Sequence, residues 1–434
     1  MLRILVLNCG GSSLKYRLFN MAGSSRRDAA VVLADGEVAG IGQPTSSIRQ
    51  RAKRRNGVEG RGGGHQENGG RENGGYREYR DQREMLDHKH AIDLALRLLI
   101  DPLYGAVSSL SEIDVVGHRV VHAGTRYTGS VRVTADVIDA LRESIELAPL
   151  HNPPNLAGIE ACQALMPETP QIAVFDNTLH STVPPYAYIY GLPYEYYERY
   201  GVRRYGFHGI TFTYMSETAA VFLGRSLFEL KLVLLMLGSG WTACAMDRGR
   251  SVDVSTGFTP TEGLVQSTRC GDVDPLAITY LMKKENLTSQ MMDDILNRKS
   301  GWLGISGVSA DLREVEKAAE GGNQRAQLAL EAIAYRARKY VGAYAAAMGG
   351  VDAVVFSGGI GEKSIVMRRS ITAGLEFLGL KVDSARNEAV DASASREPTE
   401  ISSPDSRVRC VVVPTDEEWM IAREAYSLAS KAKE

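Results

Sequence analysis

The sequence lacks the features that mark membrane, secreted and nucleic-acid-binding proteins. Its five cysteines are scattered and form no CxxC pair, which excludes the usual cysteine-based metal and redox motifs and is typical of a reduced, cytoplasmic chain. Its apolar runs, such as 232–237, are far shorter than the roughly 20 residues that span a bilayer. The run 2–7 is interrupted by Arg3 and predicts no export signal. The formal net charge of -2 leaves no broad basic excess for nucleic-acid phosphates.

The composition that is present is that of a globular chain of alternating strands and helices. The 434 residues are 44% hydrophobic and 24% charged, which is enough to form more than one core. Short apolar runs predict buried strands, and amphipathic or Ala-rich runs predict helices, so the predicted fold class is α/β. The predicted strands are 4–7, 115–121, 172–175, 232–237, 353–356 and 408–413, and the predicted helices are 87–99, 135–146, 156–165, 324–348 and 417–429. The helix 324–348 is expected to lie in a core or between domains.

One segment interrupts this pattern. From about residue 51 to 84 the chain is dense in Gly, Arg, Glu and Asn and offers almost nothing to bury. Such a composition predicts a mobile loop. We favour a solvated insertion, because lengthening a loop adds little entropic cost. The alternative is a basic arm that docks an acidic partner.

Three glycine-rich turns follow predicted strands, over 8–15, 237–242 and 357–362. Small residues let backbone N–H groups approach a phosphate, and ligands gather at strand ends in α/β sheets. A plain hairpin turn explains the first of these turns equally well. In the third, we expect a helix to begin after Gly361 and to direct its dipole at a ligand. The recurrence also suggests two similar halves around a cleft, although chance recurrence explains it equally well.

Further motifs place Arg, His or Asp beside predicted turns or strand ends. They are GHRVVH (117–122), LHNPPN (150–155), FDN (175–177), YGFHG (205–209) and TRCG (268–271). Each alone is explained by an ordinary structural role, but their joint presence indicates a functional site. Helix capping explains PTDEE (414–418), and the alternative there is a Mg²⁺ site with one carboxylate and water.

Together these motifs resemble those of the acetate kinases, in the superfamily of sugar kinases, heat-shock ATPase chaperones and actin. The resemblance runs from Leu2 to the last helix, apart from the insertion, which suggests a eukaryotic, fungal branch. It implies two lobes with duplicated actin-like or ribonuclease H-like cores around an interdomain cleft. The expected lobes are 1–179 with 418–434, and 180–417, of which the second binds nucleotide and forms a homodimer. The motifs are GHRVVHAG, LAPLHNPPN, FDNTLH, YGFHG, GFTPTEGL, TRCGDVDP, GISGVSADLRE, GGIGE and PTDEEW.

The resemblance implies reversible transfer of the γ-phosphoryl group of ATP to acetate, giving acetyl phosphate and ADP by direct in-line displacement. It implies Mg²⁺, with Mn²⁺ as an alternative, and neither nucleic acid nor membrane as a partner. Phosphoryl transfer needs alignment and charge stabilisation rather than a covalent nucleophile, so arginines, a histidine and a metal are suitable groups. Two alternatives are a pyrophosphate- or phosphate-dependent acetate kinase and a nucleotide-binding interaction protein without turnover.

Site residues follow from the resemblance, position by position. Arg119 and Arg269 would bind acetate and the transferring phosphoryl group. Propionate is expected to be a poorer acceptor than acetate. The implied catalytic residues are Arg119, Asp176, His208, Arg269 and His151, and the acceptor-binding residues are Arg119, Val121, Leu150, Phe207 and Pro260. The implied nucleotide- and phosphate-binding residues are Ser12, Ser13, Lys15, Gly238, Ser239, Gly240, Asp311, Arg313, Gly359, Ile360 and Gly361, and the metal residues are Asn8 and Glu417.

The chain departs from the family pattern on the side of the phosphate donor. Gly11 stands where a serine is usual, Ser239 and Lys363 stand where asparagines are usual, and Trp241 is bulky for its position. Gly359 leaves space for a nucleoside and therefore favours ATP. The departures leave the choice among ATP, GTP and pyrophosphate open.

Overall fold

The chain forms two compact units in a computed structural model. The structure describes residues 1–22, 27–53, 75–149, 151–390 and 397–431. Unit 1 comprises Met1–Thr178 and Asp416–Glu434, and unit 2 comprises Leu179–Thr415. The last helix therefore belongs with the N-terminal part of the chain.

Each unit contains one β-sheet with helices, which confirms the α/β class. The strands are β1 (Leu2–Cys9), β2 (Ser13–Met21), β3 (Ala30–Ala39), β4 (Ser46–Lys53), β5 (Tyr76–Arg83), β6 (Val115–Val120), β7 (Val131–Arg132), β8 (Gln171–Phe175), β9 (Lys231–Leu237), β10 (Trp241–Asp247), β11 (Arg250–Val254), β12 (Ala353–Ser357), β13 (Thr399–Glu400) and β14 (Arg409–Val412). The α-helices are α1 (His88–Ile100), α2 (Ala135–Glu143), α3 (Asn152–Leu165), α4 (Pro185–Tyr188), α5 (Tyr194–Tyr200), α6 (Gly209–Phe222), α7 (Pro275–Lys284), α8 (Ser289–Asp294), α9 (Gly301–Ser306), α10 (Leu312–Glu320), α11 (Gln324–Ala347), α12 (Gly358–Lys363), α13 (Ile365–Thr372), α14 (Ser384–Glu388) and α15 (Glu417–Lys431).

The two sheets share the same core order. The order is β5-β4-β3-β2-β1-β6-β8-β7 in unit 1 and β11-β10-β9-β12-β14-β13 in unit 2. In both, an antiparallel meander is followed by two parallel strands and a short antiparallel edge strand. A six-strand arrangement is therefore duplicated, and unit 1 adds β4 and β5. The first two glycine-rich turns are equivalent hairpins, which join β1 to β2 and β9 to β10.

The predicted strands and helices overlap central elements of these sheets and their helical layers. α11, the predicted core helix, buries residues on several sides within the apolar core of unit 2. α3 begins earlier than predicted, because Pro153 and Pro154 suit the first turn of a helix. α2 ends at Glu143, before the predicted end at Glu146. Among the described residues, no helix is both long enough and apolar enough to cross a bilayer.

The prediction of one loop over 51–84 is wrong at both of its ends. Residues 51–53 complete β4 and residues 76–83 form β5, whereas 54–74 lie outside the described residues. In β4, buried and exposed residues alternate strictly, with Ile48, Gln50 and Ala52 on the buried side. This period of two defines a half-buried strand even though the composition is highly charged.

Two buried histidines in the region of β6 make the stability of the fold dependent on pH. His118 and His122 are 1% and 0% exposed, and burial lowers the pKa of each from 6.5 to about 4. As pH falls from 7 towards 4, the unfolded chain takes up protons that the folded chain excludes, so stability present above 6.5 is lost in this window. We expect the free energy of unfolding, measured in urea, to fall by about 2 kcal/mol per histidine between pH 7 and pH 5.

Replacing His118 by glutamine distinguishes the contribution of this histidine to the pH dependence of stability from the contributions of other titratable groups. His118 Nε2 lies 2.8 Å from the side-chain amide of Gln171. His118→Gln should flatten the pH dependence, whereas His90→Gln, at a side chain that is 57% exposed, should leave it unchanged. Equal pH dependence in His118→Gln and the wild type would contradict this account.

Candidate active site

Three neighbouring parallel strands of unit 1 bring together Asn8, Arg119 and Asp176. Asn8 is in β1, Arg119 is in β6, and Asp176 directly follows β8. Arg119 Nη2 donates to Asp176 Oδ2 at 2.7 Å, and Arg119 Nη1 donates to Asn8 Oδ1 at 3.2 Å. The fourth member is Glu417, the first residue of α15, whose Oε2 accepts from Asn8 Nδ2 at 3.2 Å. We call these four residues the Arg119 cluster.

The electrostatics of this cluster keep its arginine charged. Burial alone would lower the pKa of Arg119, but the carboxylates of Asp176 and Glu417 outweigh burial and hold that pKa above its ordinary value. Asp176 is 1% exposed, so the ion pair is well shielded from water. The guanidinium is thus a permanent, fixed cation at the carboxyl ends of the strands.

The close approach of α15 to β6 places Glu417 in this cluster. Gly117, two residues before Arg119, has no side chain, and an added Cβ there would lie 2.9 Å from Ile421 Cγ2 in α15. The start of α15 is also fixed to β2, because Arg17 Nη1 donates to Asp416 Oδ1 at 2.6 Å. The side chain of Asp416 therefore joins the helix to the sheet.

Both the oxygen and the nitrogen of the Asn8 side-chain amide form hydrogen bonds. Its oxygen accepts from Arg119, and its nitrogen donates to Glu417 and, at 3.5 Å, to Glu418 Oε1. In this arrangement the amide oxygen of Asn8 is already occupied by the guanidinium of Arg119. Asn8 therefore orients Arg119 and Glu417, and the Glu417 carboxylate is a better candidate for a metal ligand than the Asn8 amide.

A second group of polar side chains meets in unit 2. His208 precedes α6 and adopts a left-handed backbone with φ of 61°, which is strained for a residue other than glycine. Its Nδ1 lies 2.9 Å from Thr242 Oγ1 in β10. Arg269 Nη1 donates to Gln266 Oε1 at 3.3 Å. Burial lowers the pKa of Arg269.

Gly240, at the β9–β10 hairpin, shows that these side chains converge. An added Cβ there would lie 3.2 Å from Gln266 Oε1, 3.7 Å from His208 Cε1 and 3.9 Å from Arg269 Nη1. A side chain at this position would be crowded, so the glycine lets an amide, an imidazole and a guanidinium approach the hairpin closely. We call Gly240 and these three residues the Arg269 cluster.

The residues expected to receive the acceptor are distributed over both units. In unit 1, Val121 is buried and its N–H donates to Asn155 Oδ1 at 3.0 Å, while His151 immediately precedes α3. In unit 2, Phe207 is buried beside His208, and the carbonyl of Pro260 accepts from Gln266 Nε2 at 2.6 Å. Leu150 lies outside the described residues.

The first two glycine-rich turns form hairpins. Ser12 and Lys15 are exposed and Ser13 is half-buried in or beside β2, where Gly10 N–H donates to the carbonyl of Ser13 at 2.7 Å. In unit 2, Gly238 and Ser239 form the tip of the β9–β10 hairpin. Trp241 is fully buried, 5.6 Å from Trp302 between ring centroids. The core therefore accommodates the bulk of Trp241.

A helix begins after Gly361, as predicted, because α13 starts at Ile365. The short helix α12, which begins at Gly358 and contains Gly359, Ile360 and Gly361, was not predicted. Gly358 has φ of +82°, and an added Cβ would lie 2.8 Å from the backbone of Leu237, so only glycine fits there. At Gly359 an added Cβ would meet nothing within 4 Å, so this position borders open space.

Asp311 and Arg313 contact each other at the start of α10. Asp311 Oδ1 accepts from the backbone N–H of Arg313 at 3.0 Å, which is a helix N-cap, and the Arg313 side chain is 87% exposed. The same carboxylate pairs with the Arg313 guanidinium, whose Nε lies 3.0 Å from Asp311 Oδ1. A helix cap and a surface ion pair therefore account for both side chains.

Sequence reasoning did not single out Thr242 or Gln266 as site residues. Both are buried polar residues, and Gln266 is 2% exposed. The sequence carries no signal for Gln266, because its burial and its hydrogen-bond partners appear only in the fold.

Comparisons with known proteins identify the family. The acetokinase family profile matches residues 3–423. An acetate kinase of Caldanaerobacter subterraneus is 47% identical, with 100% of both chains covered. The chain belongs to the acetokinase family. As a member, it is an enzyme of the kinase class of transferases, in a family that uses ATP or ADP as co-substrate.

Solved structures agree with this membership. The crystal structure of Porphyromonas gingivalis acetate kinase has a TM-score of 0.84 and 42% identity, covering 99% of this chain and 100% of that one. A propionate kinase from Francisella tularensis has a TM-score of 0.83 and 33% identity, covering 98% of this chain and 100% of that one. These three organisms are bacteria, and nothing in the comparisons supports the expected fungal branch.

Proposed function

We propose that the protein catalyses reversible, Mg²⁺-dependent phosphoryl transfer from ATP to acetate, giving acetyl phosphate and ADP. A carboxylate oxygen of acetate attacks the γ-phosphorus, the bond to the β,γ-bridging oxygen breaks, and ADP leaves with the electron pair. The observation that carries the proposal is the convergence of Arg269 and His208 beside Gly240. A cation and an imidazole this close together suit a phosphoryl group whose charge is spread over three oxygens.

In this proposal the Arg119 cluster and the Arg269 cluster have different roles. Arg119, oriented by Asp176 and Asn8, binds an anionic ligand from unit 1. Arg269 and His208 stabilise the moving phosphoryl group from unit 2. Val121, Leu150, Phe207 and Pro260 would receive the acetate methyl group, with His151 as a secondary contributor.

The donor set fits Mg²⁺ rather than a fully protein-bound metal. Among the described residues, no group of three or more His, Cys, Asp or Glu side chains could hold a metal ion. Mg²⁺ commonly uses one or two carboxylates and takes its remaining ligands from water and substrate phosphates. Glu417 would supply a carboxylate, and Asp176 and Asn8 would support it. When bound, the ion would neutralise charge on the nucleotide phosphates.

The nucleotide is proposed to bind in unit 2 along α12 and α10. The open space at Gly359 supports a nucleoside. Ile360, Gly361 and Arg313 would contact the nucleoside, while Ser12, Ser13, Lys15, Gly238 and Ser239 would face phosphates.

A homodimer formed through unit 2 is also proposed. α7 has no buried residue, and its Leu276 and Tyr280 side chains are 73% and 59% exposed. Such an apolar surface is typical of an interface. Light scattering of the purified protein should give twice the chain mass.

Donor and acceptor assays test the proposed reaction. We expect acetyl phosphate from ATP and acetate in the presence of Mg²⁺, slower turnover with propionate, and ATP from acetyl phosphate and ADP. Formation of pyrophosphate from acetyl phosphate and phosphate would favour a pyrophosphate-linked enzyme instead. Stabilisation by ATP without turnover of any donor would identify a nucleotide-binding protein.

A further inference from the structure

The Gln266 side chain joins the loop that carries Pro260 to the guanidinium of Arg269. Its Nε2 donates to the Pro260 carbonyl at 2.6 Å, and its Oε1 accepts from Arg269 Nη1 at 3.3 Å. The opposite amide orientation would face two donors towards each other and two acceptors towards each other, so the orientation is determined.

The backbone of Gln266 is fixed as well. Its N–H donates to the carbonyl of Arg269 at 3.1 Å, and its carbonyl accepts from the N–H of Trp302 at 3.0 Å. Because the residue is also 2% exposed, neither its backbone nor its amide can move without breaking buried hydrogen bonds. Gln266 is therefore a rigid link and not a surface side chain that happens to touch Arg269.

The Gln266 side chain is uncharged, and this affects the charge that Arg269 can present to a ligand. Within the described ranges, Gln266 is the only hydrogen-bond partner of the Arg269 guanidinium, and no carboxylate forms an ion pair with it. This differs from Arg119, which is paired with Asp176. A neutral amide orients Arg269 without neutralising it, so the positive charge stays available to an anionic ligand.

We propose that Gln266 is a positioning residue that holds Arg269 in register with Pro260 and preserves the guanidinium charge for the phosphoryl group. The inference rests on the proposed function, which assigns Pro260 to the acceptor and Arg269 to the phosphoryl group. Gln266 Oε1 also lies close to Gly240, as His208 Cε1 does, so displacement of the amide alters the surroundings of both candidate catalytic side chains.

Two substitutions of Gln266 distinguish its effect on the position of Arg269 from its effect on the charge of that guanidinium. Gln266→Met removes both hydrogen bonds at similar size, and we expect kcat/KM for acetyl phosphate to fall about 10- to 100-fold. Gln266→Glu introduces a carboxylate that pairs with Arg269 and competes with the ligand, so we expect a further loss of about tenfold at pH 8. The extra loss should appear mainly as a raised KM for acetyl phosphate, because the new carboxylate competes with the anionic ligand for Arg269.

A buried glutamine in unit 1 provides the matched control. Gln50 Nε2 donates to the carbonyls of Leu98 and Tyr104, and its Oε1 accepts from the Tyr16 hydroxyl. Gln50→Met should lower the unfolding midpoint while leaving the KM for acetyl phosphate unchanged. The midpoints of all variants show whether they are folded.

Binding of inorganic phosphate, measured by calorimetry, tests the inference without turnover. We expect Gln266→Glu to weaken phosphate binding at least tenfold and Gln50→Met to leave it unchanged. Wild-type phosphate affinity in both position-266 variants would overturn the inference. So would equal losses of kcat/KM in Gln266→Met and Gln266→Glu with an equal KM for acetyl phosphate, which would indicate a purely structural role. Absence of acetyl phosphate formation by the wild type would instead refute the proposed function.

Discussion

Replacing Arg269 by alanine is expected to lower kcat for acetyl phosphate formation by about 10³-fold or more while the protein remains folded. The magnitude is that of an arginine which stabilises a transferring phosphoryl group. Arg269 is held by the neutral side chain of Gln266. Its removal therefore leaves no buried carboxylate without a partner, and the free energy of unfolding should change little. The measurement is steady-state kinetics with ATP and acetate, alongside thermal unfolding.

A surface arginine of the same unit serves as the control. Arg298 is 65% exposed and pairs with Asp294 at 3.6 Å, so Arg298→Ala should retain wild-type kcat. Guanidinium ions added at millimolar concentration should partly rescue Arg269→Ala and leave Arg298→Ala unaffected. If Arg269→Ala retained wild-type kcat, the role of the Arg269 cluster in phosphoryl transfer would be refuted.

Arg119→Met is expected to impair both stability and turnover. The Arg119–Asp176 pair is 2.7 Å long, and its side chains are 16% and 1% exposed. The substitution leaves the Asp176 carboxylate buried without that guanidinium, and breaking a buried pair in this way costs about 3–5 kcal/mol. We expect a loss of that size in urea unfolding, together with a drop in kcat of about 10³-fold.

The double variant Arg119→Met/Asp176→Asn distinguishes the two effects. It removes the charge that makes the single variant unstable, so most of the stability should return. Turnover should not return, because the cation that binds the ligand is still absent. Recovery of kcat together with stability would assign Arg119 a structural role only.

The fold was predictable where strands are buried on both faces. β1, β9 and β12 are almost wholly apolar, so a continuous hydrophobic run identifies them. β4 and β5 were missed because charged residues dominate their composition. Alternation of buried and exposed residues still defines β4, whereas the edge strand β5 is mostly half-buried and does not alternate.

The candidate site was predictable in its residue types but not in its connections. Asn8, Arg119 and Asp176 all lie at or near strand ends, and the parallel arrangement of β1, β6 and β8 accounts for their meeting. The contact between Asn8 and Glu417 joins residues at opposite ends of the chain, and no local pattern specifies it. Gln266 was missed because its importance lies in two partners, Pro260 and Arg269, that only the folded loop brings together.

The β4–β5 hairpin has a practical consequence. It occupies the outermost position of the unit 1 sheet, with β3 and β2 between it and β1, and it contributes no residue to either cluster. The stretch that joins its strands leaves after Lys53 and returns at Gly75. A fluorophore, affinity epitope or small reporter domain grafted between those two residues would be tethered far along the sheet from the chemistry. The hairpin is thus a ready attachment point for immobilising or tracking a working enzyme.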